Sequence, residues 1–229
     1  MCSSDLAQSQ RPLDYPPGER WAYCNAGIDT LGRVIEVVSG ESYPAFLQKT
    51  VFDPLGMTDT TFYPTPAQLA RTAVLYEKKA GKLSPVPSFL GSPPAGKHPV
   101  PAGGLWGTGG DFAKLYRMML GKGQLGGTRV LSEKAVAEMT KVQTGDLKCG
   151  FVDGMGFGYG WAVVKEPKGV TEMLSAGTFG HGGAYGTQGW IDPTKGVFFV
   201  LLIQRSGNFG GDGSEMRKEL QKLGLAGLR

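Results

Sequence analysis

The sequence is poor in metal-binding residues, in long apolar runs and in charge of one sign. It holds two histidines and three cysteines in 229 residues. No Cys-x-x-Cys pair or Cys/His cluster occurs, which excludes a structural zinc site. Cys2, Cys24 and Cys149 are odd in number and widely spaced, unlike a disulfide framework. Cys24 is expected to be a small buried residue. The longest apolar run, residues 197–203, is far shorter than the roughly 20 residues of a membrane-spanning helix. Lys and Arg number 24 against 20 Asp and Glu, and they form no basic stripe with interleaved aromatics, so no nucleic-acid partner is expected. Hydrophobic residues at 41% and a net charge of only +4 exclude global disorder. Glycine is the residue in excess, 37 of 229, without the three-residue period of collagen.

Residues 1–12 carry neither an apolar signal-peptide core nor a lipoprotein site. The stretch Cys2-Ser3-Ser4-Asp5-Leu6 matches what a read-through sequencing-adapter tail would encode. We therefore expect a non-native or disordered leader over 1–12 and a partial domain over 13–229, with no internal repeat and no linker.

Ile28, Leu31, Val34, Ile35 and Val38 fall on one face of a helix over 26–39, closed by Gly40. A second helix is predicted over 44–50, ending before a turn at Asp53-Pro54-Leu55-Gly56-Met57. Residues 72–87 suit a strand pair turning at 79–82, and 84–101 read as a long surface loop. Thr108-x-x-Asp111 resembles a capping box ahead of a stripe of Phe112, Leu115, Tyr116, Met119 and Leu120. Ser132 caps another helix through Thr140. Strands follow over 156–164, 173–180, 184–191 and 196–204, the last two joined as a hairpin through residues 192–196. Residues 197–203 read as a strand buried on both faces. A closing helix over 214–223 places Met216, Leu220 and Leu223 on one side. Middle helices, a late antiparallel sheet and a final helix predict an α+β fold. Asp53, Asp111 and Glu133 read as turn and helix-start residues, not as a catalytic pair, and no metal or organic cofactor is implied.

Two segments carry candidate chemistry. The first presents Tyr23 and Asn25 at a loop-to-helix junction; alternatively the Tyr packs in the core and the Asn caps the helix. The second, residues 177–186, sets His181 among glycines at a strand boundary, where a ligand or backbone can approach closely and the Ala184 amide can face an oxyanion. Its alternative is a Gly-rich bulge with an exposed His. The other histidine, His98, sits in the Pro-rich loop and has no expected role.

Together these segments resemble the serine β-lactamase and penicillin-binding-protein family, in its class C-like branch, which includes esterases and D-amino-acid-specific peptidases. Tyr23-Cys24-Asn25 looks like the family's Tyr-x-Asn motif. His181-Gly182-Gly183 looks like its Lys-Thr-Gly motif in a His form. Residues 52–60, Gly103-Gly104-Leu105-Trp106 and residues 186–193 extend the likeness from about Leu13 to near the end. The resemblance implies a β-lactamase/transpeptidase-like fold and acyl transfer through a covalent serine intermediate. By the same resemblance Tyr23 takes the nucleophile's proton, for which a tyrosine needs nearby cations that favour phenolate. Asn25 bonds the substrate amide, His181 orients Tyr23, and Gly183 and Ala184 belong to the oxyanion-binding strand end. A His in place of Lys is mostly neutral at pH 7. That disfavours a dedicated β-lactamase or carboxypeptidase and favours an esterase, amidase or D-stereospecific peptidase.

The departure from the family is the nucleophile. No serine here has Lys three positions on, and no Gly-x-Ser-x-Gly elbow occurs. The expectation is a catalytically incomplete C-terminal fragment of a serine hydrolase that acts on an ester, amide, D-peptide or β-lactam. An open sheet edge and open core faces should accompany it. The competing readings are a non-catalytic cleft that binds peptidoglycan-type peptides or a protein partner, and an unrelated α+β protein. The resemblance implies a periplasmic or secreted location for the whole protein.

Overall fold

The computed structural model describes residues 10, 12–88, 99–207 and 210–228. The leader's first nine residues with Cys2, and His98 within its loop, lie outside them.

Helix α1 spans Asn25–Ser39 and ends on Gly40, whose φ of 72° lets its N–H reach Glu36 O. Helix α2, Tyr43–Leu47, starts at a Ser42 cap. It continues through a π-turn, Gln48–Phe52, and one more turn at Asp53–Leu55. The predicted turn thus shifts to Gly56 (φ 64°), and Pro54 falls in the last helical turn, directly after the π-turn. Strands β1 (Tyr76–Lys79) and β2 (Lys82–Pro85) form the predicted hairpin. Helix α3 is Gly109–Leu120. Thr108 Oγ1 accepts from Asp111 N–H, but Asp111 does not close a capping box. Its buried carboxylate accepts instead from Asp59 N–H at 2.8 Å and Thr60 Oγ1 at 2.9 Å, tying α3 to the end of the α2 segment. Ser132 caps α4, Glu133–Thr140, as predicted.

The main sheet has five antiparallel strands in chain order: β3 (Met155–Phe157), β4 (Ala162–Val164), β5 (Phe179–Gly182), β6 (Gln188–Asp192) and β7 (Val197–Leu201). Predicted strand 156–164 is in fact a hairpin, since Gly160 (φ 79°) turns the chain within it. Most of 173–180 lies outside the sheet, and of 184–191 the first half is loop and the second half is β6. Strand β8 (Arg205–Ser206) pairs in parallel with β1. Helix α5, Glu215–Ala226, closes the described chain.

The alternation of the sheet builds one core on each face. Val163, Phe179 and Ile191 pack with Tyr116 and Met119 of α3. Phe157, Ala162, Trp190 and Phe199 pack with Leu220 and Leu225 of α5. Three expectations fail here. Strand β7, read as buried on both faces, is the outermost strand of this sheet, and of its residues only Phe199 is fully buried. On α5, Met216 and Leu223 are exposed, while Arg217 and Gln221 are completely buried. Arg217 lays its guanidinium 3.7 Å above the Trp190 ring and bonds Gln221 Oε1 and Asp212 O. Burial pulls its pKa down to about 10, against the pull of the Asp212 charge.

The third concerns α1. Its apolar period is real, yet Leu31, Val34 and Val38 are exposed. The helix docks through its other side. Gly32 is buried with Pro101 in the space a side chain would fill, Asp29 accepts from Ala102 N–H at 2.9 Å, and Glu36 accepts from Tyr43 N–H at 3.0 Å.

Candidate active site

The loop ahead of α1 and the end of β5 meet at the mouth of a cleft of about 1530 Å³. Tyr23, Asn25, His181, Gly183 and Ala184 all line it. The rings of Tyr23 and His181 lie 5.8 Å apart, and Phe151 covers both, at 5.2 Å from Tyr23 and 6.1 Å from His181. Trp21 backs this cluster against Phe151 and Phe157. Residues far apart in sequence thus form one aromatic group.

Local geometry fixes each member. Tyr23 is half exposed and does not pack in the core. Asn25 is not the cap of α1. It occupies the first helical position, and Cys24, exposed and not buried as expected, precedes it as the N-cap residue without a side-chain bond. His181 Nδ1 lies 2.5 Å from Gly182 O. A carbonyl only accepts, so Nδ1 is the donor, and in the neutral ring Nε2 is left with the free lone pair. Gly183 N–H is spent on Thr187 O at 2.8 Å, closing the β5–β6 loop. The next amide, Ala184 N–H, bonds to no described group and sits exposed in the cleft.

The glycines around His181 are places of close approach, as expected, for backbone and side chain alike. They admit the protein's own groups. A Cβ on Gly180 would lie 2.1 Å from Gly189 O, and one on Gly189 would lie 1.8 Å from the Tyr116 hydroxyl. Gly189 pairs with His181 in register, so Tyr116 lies on the His181 side of the sheet. Burial pushes the Tyr116 phenol up to about 12. It therefore stays a protonated donor at neutral pH. Cleft residues that sequence reading missed include Phe151, Tyr116 and Asp212. Phe151 left no motif. Tyr116 was assigned to the core stripe, which is correct for its ring and silent on its hydroxyl.

Among the described residues, no group of three His, Cys, Asp or Glu is placed to hold a metal, and no helix is long and apolar enough to cross a membrane. What the cleft offers is a phenol, an imidazole, a carboxamide and an unpaired amide N–H around one space. Those are proton-transfer and oxyanion-binding groups.

Several known proteins are similar to this chain. Protein Rv1367c of Mycobacterium tuberculosis is 32% identical over 209 residues, covering 84% of this chain and 51% of that protein. A Salmonella newport protein named "Putative D-alanyl-D-alanine carboxypeptidase" is 29% identical over 215 residues, covering 85% of this chain and 47% of its own length. The structure of EstCE1, described as a hydrolase with promiscuous acyltransferase activity, superposes with a TM-score of 0.74 at 27% identity, over 93% of this chain and 57% of EstCE1. The chain spans about half the length of the curated relatives it matches. The family model described as Beta-lactamase matches residues 7–222. The chain therefore belongs to the Beta-lactamase family of serine hydrolases and has its β-lactamase/transpeptidase-like fold.

Proposed function

We propose that this chain forms one wall of a class C-like acyl-transfer site acting on an ester, an amide or a D-amino-acid peptide. The serine nucleophile and its lysine come from a segment outside these 229 residues. The observation that carries the reading is the meeting of Tyr23 and His181, ring to ring, beside the unpaired Ala184 N–H. In this reading Tyr23 accepts the serine proton. His181 orients Tyr23 and takes the phenol's own proton on its free Nε2 as the serine proton arrives, Asn25 bonds the substrate amide, and Ala184 N–H binds the oxyanion. The cleft volume supports it: about 1530 Å³ exceeds the roughly 300–1000 Å³ of a small-molecule pocket, leaving room for more chain beside a substrate. By the family resemblance, we place the whole protein in the periplasm or outside the cell.

The test is to restore the upstream coding sequence and offer the protein a fluorescent penicillin, a short-chain nitrophenyl ester and a D-amino-acid amide. Acyl-enzyme formation on a Ser-x-x-Lys serine, abolished by serine-to-alanine exchange, is expected. The 229-residue chain alone should hydrolyse the nitrophenyl ester no faster than buffer. Turnover by it overturns the reading. A native start codon near Met1 with no Ser-x-x-Lys upstream would favour a non-catalytic binding cleft instead.

A further inference from the structure

Charge is sparse in the cleft. Among its described lining residues, Asp59 and Arg71 neutralise each other in an ion pair at 2.5 Å. Asp212 also lines it and joins no such pair. It stands in the short 3₁₀ turn Gly211–Gly213 that leads into α5.

The Asp212 carboxylate is held in place. Its Oδ1 accepts from Gln188 Nε2 at 3.0 Å, and Gln188 Oε1 accepts from the buried Trp190 Nε1 at 2.8 Å. The indole donor fixes which way the amide faces, and the amide fixes the carboxylate. Asp212 Oδ1 also fills the space beside Gly182, where a Cβ would come within 1.7 Å of it. The middle residue of His181-Gly182-Gly183 is thus a glycine because a carboxylate lies against the strand. Oδ2 takes no hydrogen bond from a described group. Behind it, the buried Arg217 donates to the Asp212 main-chain carbonyl at 2.8 Å and fixes the turn that carries the carboxylate.

We propose that Asp212 is a charge filter for this cleft: it favours substrates that present an ammonium or an uncharged group towards the β5–β6 loop and rejects those that present a carboxylate there. The proposal rests on the acyl-transfer reading of the same cleft and names its substrate class. Amine-bearing or neutral esters and amides fit, whereas carboxylate-ended peptides and β-lactams do not.

Binding, not turnover, tests it, so the missing nucleophile does not enter. D-phenylalanine amide, N-acetyl-D-phenylalanine amide and N-acetyl-D-phenylalanine are a cation, a neutral molecule and an anion of similar shape at about pH 6. Each is titrated calorimetrically into the 229-residue chain. The cation should bind about fivefold tighter than the neutral probe and the anion about fivefold weaker, the scale of a partly exposed ion pair. Asp212→Asn should bring all three within about twofold. Gly182→Ala, which displaces the carboxylate and keeps its charge, should flatten the series as well and carries the test if Asp212→Asn fails to fold. Tightest binding of the anion, no binding of the cation, or an order unchanged in whichever variant folds overturns the proposal. Failure of the restored protein to form an acyl-enzyme would instead strike the acyl-transfer reading.

Discussion

In strand β6, Trp190 and Ile191 face opposite sides of the sheet and are 1% and 0% exposed; in helix α1, Leu31, Val34 and Val38 share one face and are 57%, 49% and 81% exposed. Both segments carry large apolar side chains. Strand β6 has a strand on each side and a helix-lined core on each face. Helix α1 meets its neighbours through Asp29, Gly32 and Glu36, its polar and small residues. The difference separates two meanings of an apolar period. It marks the face an element is built to bury, and burial itself depends on what stands opposite. Among the described residues little stands opposite Leu31, Val34 and Val38 on α1.

The sheet side of that comparison should break hardest. Ile191→Ala removes a side chain packed in the α3 core and should cost about 2–5 kcal/mol in urea unfolding. A loss near zero would mean that the sheet is no better packed than α1.

A smaller effect is expected at Asp192, at the end of the same strand. Burial alone would raise its carboxyl. The N–H donors of Lys195 at 3.0 Å and Ser175 at 2.9 Å, with the Ser175 hydroxyl and the Lys195 ammonium, together outweigh that and hold it below the ordinary value. Asp192→Asn should cost about 1–3 kcal/mol at pH 7. A carboxyl depressed in the folded state stabilises fully above the unfolded value of about 4, and loses that contribution as pH falls through the folded value. The gap between wild type and variant should therefore close on acidification. A gap that widens towards acid would refute the assignment.

The helix side should barely respond. Val34→Ser and Val38→Ser should each change stability by no more than about 0.5 kcal/mol. They should also reduce self-association in light scattering, because they dilute an exposed apolar patch. A stability loss comparable to that of Ile191→Ala would erase the contrast.

How far the sequence was readable follows the same division. Local rules located α1 and its Gly40 stop, the Thr108 and Ser132 caps, and the β6–β7 hairpin, because each is decided within a few residues. Tyr23, Asn25, His181 and Ala184 were picked out by motif and do share one cleft. What escaped was decided at long range. Residues 197–203 are apolar enough for a central strand, but position in a sheet is not written in the strand itself. Arg217 and Gln221 looked like the wet side of α5. Their burial depends on the Trp190 face and on carbonyls from other segments, Asp212 O and Val170 O. The glycines at 180, 182 and 189 were legible as places of close approach, but not as places filled by Trp190, Asp212 and Tyr116.

The order of the main sheet carries a consequence for how it forms. Strands β3 to β7 sit side by side in the order in which the chain supplies them, and every pairing joins sequence neighbours. No strand waits for a distant partner, and the longest connection that must close before ladder bonds and core contacts begin to compensate for the lost chain entropy is residues 165–178, between β4 and β5. Topology of this kind favours rapid assembly. The sheet that carries His181 has the means to nucleate from its own hairpins, with the Tyr23 segment and α1 docking onto a platform already made.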